Sequence, residues 1–233
     1  MLRVLVTAFP EQSEIWSIAV AVIAVASLVI GNLAALAQRS VKRLLAYSSV
    51  SQAGFMLIGI AANNELGAKA VLFYLIPYGA ASLGAFAVVA ARERELGRPV
   101  TLATLEGWGW ERPFYGAAKW VFMLAFAGFP FTGGLVGKFY VFSAAYEAGW
   151  WWLIVIGVVA TAVSIYYYLA VVKAMYMRPT SARSDLVVAG GSPPPDPALE
   201  AAIGAALVVT VGTFFFVQPL IDAAGKAASV LHF

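Results

Sequence analysis

Residues 15–37 form a run of twenty-three amino acids without a single charge. At 1.5 Å of helix per residue, such a run crosses the roughly 30 Å of a bilayer's hydrocarbon. Five more apolar stretches follow, at 44–61, 66–91, 114–148, 150–177 and 201–220. The expectation is an all-α integral membrane protein with about six transmembrane helices. Composition agrees: 12% of the residues are charged, against about 25% in an ordinary soluble domain. Seven Trp and ten Tyr supply the side chains that line membrane interfaces. The whole chain, 1–233, reads as a single membrane domain. Its Pro/Gly/Ser-rich stretch SARSDLVVAGGSPPPDP, 181–197, is expected to be a flexible cytoplasmic loop. The opening MLRVLVTAFP lacks the basic start and cleavage site of a signal peptide and reads as the closing turns of a helix.

Basic residues follow the alternation of the spans. One side receives Arg39, Lys42, Arg43, Arg92, Arg94, Arg98, Arg112, Lys119, Arg178 and Arg183. The other receives Arg3, Lys69 and Lys226, while Lys138 and Lys173 fall inside spans. Basic loops stay cytoplasmic, so both termini are expected outside, on the periplasmic face of a bacterial inner membrane. The net charge of +3 is thus explained by topology, and nucleic acid is not an expected partner. Cysteine is absent, which removes disulfides, thiolate metal sites and iron–sulfur ligation from this chain. The single histidine, His232, reads as a tail residue.

The stretch GFPFTGGLVGKF, 128–139, interrupts the fourth span. Pro130 removes a backbone donor and clashes with the preceding turn. Gly128, Gly133 and Gly134 let the chain leave helical geometry, so the helix is expected to break at 128–134. Broken helices at membrane depth survive only where protein or water satisfies the freed backbone, and they recur beside ion paths in transporters. Lys138 falls about one and a half turns into the second half-helix. An intramembrane lysine costs about 2.5–3.5 kcal/mol on insertion scales. Desolvation works against its charged form, which suits an amine that releases and regains a proton. Against this stand two simpler readings: snorkelling to the interface, or permanent pairing with a carboxylate. Lys173, near the end of its span, reads as a snorkelling residue.

Hydroxyls and one amide keep Lys138 company. Thr161, Ser164 and Tyr168 share one helical face, as do Ser48, Ser51 and Gln52, with Thr132 at the break itself. Each stripe could hold a file of water, or could simply glue helices together. The chain has no glycine-rich nucleotide loop after a strand and no histidine pair, so no metal, cofactor or redox chemistry is expected in it.

GFPFTGGLVGKFYVF (128–142) and KRLLAYSSVSQAGFMLIGI (42–60) resemble the signatures of the antiporter-like membrane subunits of respiratory complex I. FYLIPYGAASLGAFAVV (73–89) and SIYYYLAVVKAMYMR (164–178) look most like the subunit-N branch. The resemblance implies fourteen helices in two inverted five-helix repeats, with this chain supplying helices nine to fourteen. Lys138 matches the family's proton-relay lysine on broken helix twelve. The implied function is proton translocation, as the outward half-channel of an NADH-quinone oxidoreductase subunit. NADH, FMN, iron–sulfur clusters and quinone would sit in other subunits. Implied partners are the other complex I membrane subunits and a first half of the same subunit. Related cation/proton antiporters and membrane-bound hydrogenases share the first two motifs and give the alternative reading, as does a truncated, non-conducting fragment. Three positions depart from the pattern. Gln52 stands where relatives carry histidine and cannot itself store a proton. Ala170 stands where arginine is common, and Pro77 where a helix-compatible residue is usual.

Overall fold

The computed structural model describes residues 1–177 and 196–229. A short helix α1 (Leu2–Ala8) leads through a turn into α2 (Ser13–Leu36), which carries nearly all of the charge-free run. Next come α3 (Val41–Ala61) and the long α4 (Glu65–Leu96). A 3₁₀ turn (Ala103–Leu105) and α5 (Trp108–Glu111) precede two half-helices, α6 (Pro113–Ala127) and α7 (Gly133–Glu147). Helices α8 (Trp151–Met177), α9 (Pro197–Phe215) and α10 (Val217–Ala228) complete the described chain. Five of these, α2, α3, α4, α8 and α9, are each long and apolar enough to span a membrane. With the broken pair α6–α7 they make the six expected spans.

Each boundary has a local cause. Asn64 starts α4 by accepting the Gly67 amide at 2.7 Å. Gly97, at φ 62°, stops it. Asp196 caps α9 by accepting the amides of Ala198 and Leu199, and Pro197 fits the first helical position.

The structure corrects two boundaries. The third span does not stop at Ala91: α4 continues to Leu96, carrying Arg92, Glu93, Arg94 and Glu95 as helix. There Glu95 accepts from Arg92 at 3.0 Å and from the Trp108 indole at 2.9 Å and forms an ion pair with Arg112 at 3.2 Å, so an ion cluster lets the helix run on into the polar zone. The last span ends at Phe215 rather than Leu220, and a separate helix, α10, follows. Gln218, Asp222 and Lys226 recur every fourth residue there, giving α10 a polar face. Lys119, counted with the basic side, lies inside α6. Arg178, Arg183, most of the 181–197 stretch and His232 lie outside the described residues.

Two apolar clusters flank a polar level. One gathers Leu44, Leu45, Val88, Trp108, Phe122 and Tyr168; the other gathers Leu28, Phe55, Ile58, Val141 and Leu153. On α3 the polar residues Ser48, Ser51 and Gln52 fall between Leu45 of the first and Phe55 of the second. The sequence of that helix therefore places hydrogen-bonding groups at one depth, with apolar packing on either side of them.

Candidate proton-carrying site

Helix α6 ends on a Schellman pattern. Gly128, in the left-handed region at φ 77°, donates its amide to Ala125 at 3.2 Å, and Phe129 donates to Leu124 at 3.0 Å. These bonds satisfy the Leu124 and Ala125 carbonyls. They leave the last two carbonyls, Phe126 and Ala127, without helical donors. The break at 128–132 then turns back so tightly that Gly134 lies against the Ala125 carbonyl, where any side chain would collide. That contact brings α7 beside the exposed carbonyls of α6.

Lys138 uses them. Its Nζ donates to the Phe126 carbonyl at 3.0 Å and to Ala127 at 3.3 Å, and stands 4.6 Å from the centre of the Phe55 ring. The residue is only 3% exposed. The ammonium thus faces the negative end of the α6 dipole and an aromatic face, two weak substitutes for a counter-ion. Among the described residues no ion pair involves Lys138. Burial argues against snorkelling, and the absence of such a pair argues against a fixed salt bridge. Lys173, by contrast, is exposed near the end of α8.

Gln52 reaches the same carbonyl from α3. Its Nε2 donates to Phe126 at 3.0 Å and to the Tyr168 hydroxyl at 3.1 Å, while its Oε1 accepts from Tyr74 at 2.5 Å. Because the Phe126 carbonyl can only accept, the amide orientation follows from the network. Tyr168 is also hydrogen-bonded to Ser48. The structure therefore joins Lys138, Gln52, Ser48 and Tyr168 into one buried network, built on a carbonyl that the helix break exposes.

Other candidates stand apart from it. The Ser51 hydroxyl is buried and has no hydrogen-bond partner among the described residues, and its backbone packs on Gly31 of α2. Thr132 donates to Phe129 at 2.7 Å and holds the break's own shape. Ser164 donates to the Thr161 carbonyl, and Thr161 to that of Gly157, both within α8. Thr161 does meet Lys138 in another way. Both line a crevice of about 320 Å³ between α7 and α8, together with Leu135, Phe142 and Val158.

Several participants were not singled out from the sequence. Tyr74 bonds Gln52 directly, and Tyr78 packs between Tyr74 and Phe126. Asn32 accepts from Tyr167 at 3.0 Å and donates to Ala160 at 3.3 Å, tying α2 to α8. Asn32 is the only amide in the charge-free run, and that was its available signal.

A buried lysine, in no ion pair among the described residues, is mounted on the second half of a broken spanning helix, and the class these features define is a multi-pass membrane protein. The chain belongs to the NADH:quinone oxidoreductase/Mrp antiporter transmembrane family, whose model matches residues 1–164. It is 45% identical over 151 residues to NADH-quinone oxidoreductase subunit N of Salinibacter ruber, covering 64% of this chain and 30% of that protein. It is 38% identical over 231 residues to the subunit N of Parvibaculum lavamentivorans, covering 99% of this chain and 46% of that one. Among solved structures it resembles a chain of respiratory complex I from Thermus thermophilus with bound aureothin, at TM-score 0.73 and 36% identity. That match covers 88% of this chain and 45% of the other. A chain of the Mrp complex from Dietzia matches at TM-score 0.87 and 25% identity, covering 99% and 50%. The chain thus spans less than half the length of the curated relatives it matches.

Proposed function

We propose that the chain forms part of a proton-translocating, antiporter-like subunit of an NADH-quinone oxidoreductase, with Lys138 as its proton carrier. The single observation that carries this is Lys138 itself: buried, in no ion pair among the described residues, and held by two carbonyls freed by the break. When protonated, it donates to Phe126 and Ala127 and faces the negative end of α6. When neutral, it loses most of that electrostatic hold, and its flexible stem can turn toward the crevice shared with Thr161. Proton binding is thereby coupled to the lysine's position. Gln52 fixes the Phe126 carbonyl from the other side and keeps the landing point rigid.

On this reading the chain performs no redox step. NADH, flavin, iron–sulfur clusters and quinone belong to partner subunits, and the chain provides an outward half-channel in a bacterial inner membrane. The test is proton pumping by the assembled complex. Lys138→Ala is expected to lower pumping more than tenfold while leaving the subunit inserted. Lys138→Arg is expected to fail as well, because guanidinium stays protonated. Pumping at the wild-type rate in Lys138→Ala would remove the carrier role. Orientation has its own check. Reporter fusions at Arg98 should score cytoplasmic and those at Asn64 periplasmic, as the bias of Lys and Arg requires. An external signal at Arg98 would invert the assignment. A cation/proton antiporter subunit is the second reading, favoured by the likeness to the Mrp chain. Sodium-dependent proton flux that persists without NADH would select it.

A further inference from the structure

Lys119 is buried as deeply as Lys138, and the reading above gives it no task. It is 1% exposed, and its Nζ donates to the Ala85 carbonyl of α4 at 3.1 Å. Ala85 lies in the interior of α4, where a carbonyl already serves the helix's own ladder. One shared acceptor is poor company for an ammonium with three donors. Among the described residues no ion pair involves Lys119. The close approach that lets its side chain reach α4 comes from small residues there. Ala81, Gly84 and Ala85 face α6, and the Phe122 ring presses onto Gly84 where a Cβ would collide.

Position gives this lysine its meaning. Phe126, whose carbonyl holds Lys138, is seven residues further along α6, about 10 Å and nearly the same face. Tyr78 precedes Ala85 on α4 by the same seven residues. The Phe126 ring packs on Tyr78 at 6.0 Å and on Tyr168 at 5.6 Å. Lys119 therefore lies between the basic end of the bundle and the Lys138 network. Phe122 and Met123, both fully buried, fill the interval. Titratable groups on the elements packed against α6 include Tyr74, Tyr78, Arg92 and Glu95 on α4, Glu111 on α5, Lys138 on α7, Tyr167, Tyr168 and Tyr176 on α8, and Glu200 on α9; Tyr176 lies against Gly116, and Glu95 pairs with Arg112 where α6 begins. Glu200 accepts from Tyr115 at 2.9 Å.

We propose that Lys119 is a second proton-carrying residue, in series with Lys138 and on the basic side of the helix break. This adds a cytoplasmic approach to the outward half-channel: a proton entering from the basic side binds the Lys119 amine, passes through transient water across the Phe122 interval, and reaches the Lys138 amine. Hydrophobic constrictions gate by wetting and drying, so Phe122 separates the two carriers between transfers. This rests on the carrier role of Lys138, and the test separates the two. In the assembled complex, Lys119→Gln keeps a donor for the Ala85 carbonyl but cannot exchange a proton. Lys119→Arg keeps the donors and a permanent charge. Both are expected to lower pumping more than tenfold with assembly intact. If Lys119→Gln pumps within twofold of wild type while Lys138→Ala does not, Lys119 is a packing residue and Lys138 remains the carrier. If neither variant matters, both assignments fall. Should the Lys119 variants not assemble, nitrogen-15 resonances of lysine Nζ in the wild-type complex decide the matter. A Lys119 signal that changes between amine and ammonium from pH 6 to pH 9 (an interval of about three decades in proton activity) supports the proposal. One that keeps a single protonation state throughout overturns it.

Discussion

Replacing Gln52 by leucine separates the network's shared bonds from its single ones. Gln52 is 0% exposed and makes three hydrogen bonds. Their loss does not weigh equally. The Phe126 carbonyl keeps Lys138, and the Tyr168 hydroxyl keeps Ser48. Tyr74 loses the only side-chain partner its hydroxyl has among the described residues. The cost is therefore close to that of one orphaned buried hydroxyl, about 1–3 kcal/mol, rather than three times a bond's worth. Tyr74→Phe orphans the Gln52 oxygen instead and should cost about 1 kcal/mol. In the double variant neither group is left unpaired. Its cost should fall short of the sum of the two single costs by about 1 kcal/mol, well beyond the ~0.3–0.5 kcal/mol scatter of independent sites. Reversible unfolding of the purified protein in mixed micelles measures all three. Additive costs would mean that the Tyr74–Gln52 bond carries no coupling, and the network would then be a set of separate contacts.

Gly134→Ala drives a methyl group onto the Ala125 carbonyl and should destabilise the protein by about 1–3 kcal/mol or more. Gly212→Ala in α9, with open space around it, should be neutral or stabilise by up to about 1 kcal/mol. The same unfolding assay compares them, and equal effects would contradict the tight closure at the break. Asp196 offers a pH test outside the membrane. The hydrogen bond from Arg94, then the amides of Leu199 and Ala198, hold its carboxyl below the usual range. Its contribution is therefore present above the unfolded-state value and lost as pH falls through the lower folded one. Amide exchange in the first turn of α9, corrected for intrinsic rate, should quicken below about pH 4. Asp196→Asn keeps the cap and should abolish that step; an unchanged step would assign it to another group.

The spans were legible because charge-free length is a direct reading of hydrocarbon thickness, and the break because proline and glycine leave few alternatives. Lys138 followed from both. Lys119 was missed for a related reason. The fourth apolar stretch is longer than one crossing needs, and its first residues passed for overhang on the basic side. Two half-helices of 15 residues each use that length on both sides of the break, which draws Lys119 inward. The excess length thus places the second lysine inside the span rather than at its edge. Tyr74, Tyr78 and Asn32 are a different case. In helices apolar on every side, periodicity does not say which face meets which neighbour, so the Tyr74–Gln52 bond depends on how α3 and α4 are rotated against each other. The α10 boundary did have a signal, Gln218, Asp222 and Lys226 on one face, hidden by the apolar residues between them.

The two lysines differ in what holds them, and this bears on how a proton could move. Lys138 rests on carbonyls that have no other helical claim, because the Schellman closure reaches only Leu124 and Ala125. Its site exists whether or not the lysine is charged, since Gln52 also binds the Phe126 carbonyl and the glycines fix the chain. Lys119 rests on a single carbonyl already engaged in α4, beside the packing of Phe122 against Gly84. A carrier that must hold a proton needs a built site; one that must take it up and pass it on is better served by a loose one. On the proposed relay, the asymmetry would give direction to the pair, with uptake at the basic end and retention at the break. Filling the space at Gly84 would shift the Phe122 ring and should disturb Lys119 while leaving the Phe126–Lys138 contact in place.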